Sequence, residues 1–124
     1  MKLIHAGTSG PLPTSSYHLH VHGRRVGYIQ VRHKPSKGAH MPKGSETHIA
    51  YGIDVSERRK GYGREILRLG LIEARKIGLK EIFIGADTAN VASWRIIEAN
   101  GGQLVKTFRR LDTSEECRHY RVSL

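Results

Sequence analysis

The stretch Glu57 to Gly70, ERRKGYGREILRLG, decides how this chain is read. A basic run breaks into two glycines one residue apart, Gly61 and Gly63, and an amphipathic helical pattern begins at once. Glycine at a helix start gives up about 1 kcal/mol of helix propensity relative to alanine. Helix N-termini carry unpaired N–H groups at the positive end of the helix dipole, so they attract anions, phosphate above all. The expectation is that both glycines keep the backbone bare for such a ligand, and that binding needs them where folding does not. A turn glycine followed by a packing glycine is the plainer alternative.

The flanking segments give the architecture. Before the stretch, Thr47 to Val55 alternates cleanly, with Thr47, Ile49, Tyr51, Ile53 and Val55 on one face, and reads as a strand. After it, a helix is predicted over Gly61–Ile77, with Ile66, Leu67, Leu71, Ala74 and Ile77 on a broad apolar face and Gly78 as its stop. Glu81–Ala86, EIFIGA, is the short apolar run of an interior strand covered on both faces. A second helix is expected over Asp87–Asn100, closed by Gly101-Gly102, and two strands near Gln103–Leu111 and Arg118–Ser123 finish the sheet. Upstream, Tyr17–Arg32 reads as a hairpin turning at His22-Gly23-Arg24, and Lys34–Ser45 as a Pro/Gly/Lys-rich loop. The first residues offer only Leu3-Ile4 and then a loop over Ala6–Ser16. The chain, 1–124, is expected to form one α+β domain: a mixed, mostly antiparallel sheet with helices packed on it.

Composition bounds the function. The net charge of +10 favours an anionic partner, which nucleic acid, a phosphorylated cofactor or an acidic membrane could each supply. No segment approaches the roughly 20 apolar residues of a membrane span, and the N-terminus lacks a signal-peptide run, so no membrane partner is expected. Cys117 is the lone cysteine, which suits a reducing cytoplasm. His18, His20 and His22 alternate on one strand face, but no cysteine or carboxylate completes a metal site and none is expected. Few aromatics and no nucleic-acid motif argue against nucleic acid.

The glycine stretch is not the ATP-binding GxxxxGK[ST], and Ile66 leaves the dinucleotide GxGxxG incomplete. Arg58-Arg59-Lys60-Gly61-Tyr62-Gly63 does fit the [Q/R]-x-x-G-x-[G/A] signature of the GNAT N-acetyltransferases. With the preceding IAYGIDVSE, the strand EIFIGADT, Asn90-Val91-Ala92-Ser93 and IIEANGG, about the last two-thirds of the chain resembles the second half of that family's core. The phrasing is most similar to the branch of ribosomal-protein and antibiotic acetyltransferases. The resemblance implies a three-layer GNAT-like fold splayed between Thr47–Val55 and Glu81–Ala86, and acetyl transfer from acetyl-CoA to a primary amine within a ternary complex.

It also assigns residues. The backbone from Arg59 to Arg64 would cradle the pyrophosphate, and the basic side chains Arg58, Arg59, Lys60 and Arg64 suit three phosphates carrying about −4 in total. Backbone at Ile53 and Val55 would hold pantetheine, with Asn90 and Ser93 as polar contacts; Asn90 equally suits a helix N-cap. The slot where many members carry a thiolate-protonating Tyr holds Ile97. Glu46 and His48 are the candidate bases for the acceptor amine, against the alternatives of a solvated loop charge and a strand-surface residue. Tyr51 points away from His48 and reads as core. Arg109-Arg110 and the Lys34–Lys43 loop read as solvated charge that could also draw in acidic acceptors. The two helices that normally follow the first strand are missing, so the acceptor site is expected to be open, for a large substrate or for a second subunit of a homodimer. A non-catalytic acyl-CoA-binding domain and a basic nucleic-acid-binding module are the rival readings.

Overall fold

The computed structural model describes residues 1–10 and 13–124. Its elements, in chain order, are β1 (Lys2–Ser9), β2 (Thr14–Val21), β3 (Arg24–Ser36), β4 (Thr47–Ile53), a 3-10 turn (Val55–Glu57), α1 (Tyr62–Ile77), β5 (Glu81–Asp87), α2 (Val91–Ala99), β6 (Gln103–Arg109) and β7 (Glu116–Ser123). The strands form two sheets, ordered β1-β2-β3-β4 and β5-β7-β6. Every hydrogen-bonded pair in them is antiparallel. The expected splay is therefore complete: β4 and β5 lie side by side with no ladder between them.

Local chemistry explains most of the elements. β2 alternates strictly, burying Ser15, Tyr17, Leu19 and Val21. His22 and Gly23 both have positive φ, 50° and 74°, as a two-residue primed turn requires before β3. Helix α1 buries Ile66, Leu67, Gly70 and Ala74 against the first sheet. Gly70 is where the helix crosses β3, since a β-carbon there would run into the Ile29 side chain. Gly78 ends the helix at φ 105°, and Leu79 N–H closes back on the Ala74 carbonyl at 3.2 Å.

Several boundaries differ from the sequence reading. The expected Ala6–Ser16 loop is strand over Ala6–Ser9 and Thr14–Ser16, where β1 pairs with β2 from Lys2↔His20 to Ser9↔Thr14; positions 11 and 12 of that loop lie outside the described residues. An edge strand exposed on both faces has no buried face to demand alternation, so β1 carries little signal. β3 runs on through Ser36, into the segment read as loop. Val55 leaves the strand for the 3-10 turn and is 76% exposed. β5 is not an interior strand: it is an edge of its sheet, with Ile82 and Ile84 buried on one face and Gly85 and Asp87 exposed on the other. α2 starts only at Val91, after Asp87 has ended β5. Among the described residues no helix lies between β1 and β2, as the shortened N-terminal region implied.

Candidate active site

The seam between β4 and β5 is bridged by side chains instead of backbone. His48, 6% exposed on β4, accepts the Phe83 N–H of β5 at Nδ1, 3.0 Å away. His119 on β7 donates from Nε2 to the carbonyl of Glu46, just ahead of β4, at 2.9 Å. Phe83 stacks between the two rings, 6.0 Å from His48 and 5.2 Å from His119. Each such bond contributes about 1 kcal/mol, and an unpaired buried partner would cost about 1–3 kcal/mol. These two histidines hold the sheets together while leaving the rest of the seam open. The acceptor role fixes the His48 proton on Nε2, and burial pushes the ring's pKa down against the opposing pull of the Glu81 carboxylate, with the Arg32 charge a smaller push in the same direction as burial.

On the helix side the gap widens into a cleft of about 570 Å³. Its walls bring together Ile53 of β4, Arg58, Arg59, Gly61, Tyr62, Gly63 and Arg64 of the turn into α1, and Asn90 and Ser93 of α2. Val55 and Lys60, expected there, do not line it. Val55 faces solvent, and Lys60 is engaged 3.1 Å from Glu57. The Ile53 carbonyl accepts from Arg58 Nε at 3.2 Å. Asn90 caps α2, its Oδ1 accepting Ser93 N–H at 3.2 Å, so the N-cap alternative is realised and its side-chain amide N–H groups remain available to the cleft.

The turn itself leaves its backbone donors unpaired. Arg59 and Gly61 both lie in the left-handed region, φ 65° and 82°, which curls successive N–H groups inward. Among the described residues, the N–H groups from Arg59 to Arg64 meet no acceptor; the next, Glu65 N–H, reaches the Gly61 carbonyl at 3.3 Å. The two glycines do different jobs, contrary to the expectation that both serve ligand approach alone. A β-carbon on Gly61 would meet nothing within 4 Å, whereas one on Gly63 would sit 2.8 Å from Ile96 Cδ1. Gly61 is demanded by its φ and faces open space; Gly63 lets α1 pack on α2.

Glu57 escaped the sequence reading. It is 8% exposed, lines the cleft, and receives a two-pronged bond from Arg24 (2.8 and 3.0 Å) as well as Lys60. Those hydrogen bonds, Arg24 first, lower its pKa to about 2. It ties the start of the turn to the β2–β3 hairpin. The one signal was a carboxylate three residues before Lys60 at the head of a basic run. Tyr51, read as core, is half-buried, but it lines the cleft with its hydroxyl 3.4 Å from Ser93 Oγ. Burial raises its pKa. Ile97, in the slot for a catalytic tyrosine, is fully buried in the core.

Across the seam lies a second, smaller pocket of about 200 Å³, bordered by Thr47 and Ile49 of β4 and Gly85, Ala86 and Asp87 of β5. Glu46 does not line it, but its neighbours Ser45 and Thr47 do. Hydrogen bonds from its own N–H and from Gly44 N–H, then the Lys37 and Lys106 charges, hold the Glu46 carboxyl below its usual range. His18 and His20 are half-exposed on β2, and among the described residues no His, Cys, Asp and Glu side chains group as metal ligands would. No helix among them is long and apolar enough to cross a membrane.

A family model for the acetyltransferase (GNAT) domain matches residues 11–103. The chain belongs to this family. Among curated proteins, a mycothiol acetyltransferase of Thermobispora bispora is 35% identical over 80 residues, 64% of this chain and 26% of that one. The chain thus spans about a quarter of this relative's length. A ribosomal-protein-alanine N-acetyltransferase from Brucella melitensis superposes with a TM-score of 0.71 at 18% identity, over 90% of this chain and 69% of that one. A Bacillus subtilis acetyltransferase in complex with CoA gives 0.67 at 12% identity, over 90% and 77%. At such identities these two structures establish the GNAT fold.

Proposed function

We propose that this domain is an N-acetyltransferase that moves an acetyl group from acetyl-CoA to a primary amine. The observation that carries the reading is the turn of unpaired N–H groups from Arg59 to Arg64, opening into a cleft that leads along β4 to the seam. Phosphate oxygens of the cofactor accept from those N–H groups, with Arg58, Arg59 and Arg64 supplying charge and the α1 dipole behind them. The pantetheine arm runs between Ile53 and the Asn90–Ser93 segment, which puts the thioester beside Tyr51.

The amine lone pair attacks the thioester carbonyl carbon, the C–S bond breaks, and the proton that the nitrogen sheds on becoming an amide balances the one that the thiolate takes. The amine must first be neutral, and its proton leaves through water in the open pocket, with Asp87 in the pocket wall and Glu46 just outside it as the nearby carboxylates; the His48 ring lone pair is already committed to Phe83. Tyr51 takes the place that Ile97 leaves empty, its hydroxyl donating to the departing sulfur. A tyrosine of raised pKa is a weak acid beside a thiol of pKa about 8.5, so the gain is modest on the general acid–base scale.

Calorimetry with acetyl-CoA, followed by thiol release on a panel of amines and peptides, tests this directly. Tight binding with turnover is expected; binding with no turnover on any amine would leave an acyl-CoA-binding domain, and no binding would remove the reading. Tyr51→Phe should lower kcat about tenfold or more with KM for acetyl-CoA unchanged. An unchanged kcat would take Tyr51 out of the chemistry.

A further inference from the structure

The pocket across the seam carries a charge pattern of its own. Arg32 and Lys37, from β3 and the loop after it, and Asp87, from the end of β5, line it together with apolar Ile49, Ala86 and Phe108. Arg32 is held in place by its Nη1, which donates to the Thr47 carbonyl and to Thr47 Oγ1, both at 3.2 Å. Among the described residues it forms no ion pair, so the rest of its guanidinium fork is a fixed, uncompensated cation. Asp87 accepts from Cys117 Sγ at 3.2 Å through Oδ1, which orients the carboxylate and leaves Oδ2 free.

The pocket and the cleft open onto the same gap. Along β4, Thr47 and Ile49 border the pocket and Tyr51 and Ile53 the cleft, about 7 Å further on at the rise of a strand. On the facing wall Asp87 borders the pocket and Asn90 the cleft, joined by Asn90 N–H on the Asp87 carbonyl at 2.9 Å. A cationic group on Asp87 therefore sits nearest the thioester, and an anionic group on Arg32, beside Thr47, sits behind it. The volume, about seven waters at ~30 Å³ each, fits the end of a molecule and no more.

We infer that the acceptor is an amine with a carboxylate a few atoms behind it, an amino acid or the amino terminus of an acidic peptide, held by Asp87 at the amine and by Arg32 and Lys37 at the carboxylate. This rests on the acetyltransferase reading and narrows it. A bidentate guanidinium–carboxylate contact gives direction as well as energy, and Arg32 is already aligned for one. Lys106, whose ammonium approaches the pocket-side loop at Gly44, extends the same field outward.

The test compares thiol release for the C-terminally amidated dipeptides Ala-Glu, Ala-Gln and Ala-Lys, which differ only in the side-chain charge behind the amine, and for free glutamate, with acetyl-CoA affinity measured separately by calorimetry. Ala-Glu should exceed Ala-Lys in kcat/KM by tenfold or more, and the ratio should shrink with added salt. Activity on free glutamate identifies the amino acid as acceptor; activity on Ala-Glu alone identifies the peptide. Arg32→Gln should abolish the preference with acetyl-CoA affinity unchanged. Lys37→Glu, at an exposed position, should reduce it without touching the Thr47 bonds. Equal turnover of all three dipeptides, a preference for Ala-Lys, or a preference that survives both substitutions would overturn the acceptor class while leaving acetyl transfer standing. Absence of acetyl-CoA binding would overturn both.

Discussion

The cleft and the pocket on either side of the β4–β5 seam are made in opposite ways. The cleft draws its basic side chains and unpaired donors from one contiguous run, Arg58 to Arg64, whose conformation follows from local rules: a left-handed glycine, a helix start, unpaired N–H groups. The pocket gathers Arg32, Lys37, Thr47, Asp87, Phe108 and Cys117 from five separate segments. A site written in consecutive residues can be moved between folds and still bind. A site assembled across a seam exists only while the seam holds its spacing, and two histidine bonds set that spacing here. Substitutions on the two sides should therefore fail differently.

The strongest break is expected at the glycines. Gly61→Asn keeps a residue that tolerates positive φ while filling the space the phosphates need, so acetyl-CoA affinity should fall tenfold or more, about 1.4 kcal/mol, in a protein that still folds. Gly63→Val should instead drive α1 off Ile96 and cost about 1–3 kcal/mol of stability, seen as a lower Tm without ligand. If both variants fold normally and lose only affinity, the division of labour between the two glycines is wrong.

A smaller effect is expected at the seam. His48→Ala leaves Phe83 N–H without its partner and should cost about 1–2 kcal/mol in denaturant unfolding. The pH dependence carries a sign. Because the folded pKa of His48 lies below the unfolded value of about 6.5, the unfolded chain binds more protons in acid, so this contribution is full above pH 6.5 and is lost as pH falls. Comparing unfolding at pH 7.5 and 5.5 should show a loss in the parent that is reduced in His48→Ala. An equal loss in both would mean that other groups set the acid sensitivity.

The smallest effect belongs to Glu46. Glu46→Gln should slow turnover several-fold at pH 7, with the deficit closing toward pH 9 as the amine deprotonates unaided. A pH–rate profile parallel to the parent's throughout would assign the proton to bulk water alone.

How much of this was legible beforehand depends on the range of the forces involved. Helix α1, its glycine entry and exit, the β2–β3 turn and the Asn90 cap were readable because each is fixed by φ preferences and hydrogen bonds within a few residues. β1 and the full length of β3 were not. Edge and loop-like sequence pairs into strand only when a neighbour supplies the ladder. Glu57 looked like one more charge in a basic run until the hairpin brought Arg24 to it. Tyr51 alternated as a core residue should, and the seam alone turned its hydroxyl toward Ser93.

By itself, then, the sequence determined the order of elements from β2 onward, the glycine-led turn into α1 and the family, because local backbone chemistry does not depend on what lies across the sheet. Only the tertiary structure decided that His48 bonds to Phe83 across the seam, that Gly63 packs against Ile96 while Gly61 faces open space, and that Arg32 and Asp87 line one pocket. Those are contacts between residues tens of positions apart, and side-chain direction at that range is set by packing, which no local pattern records.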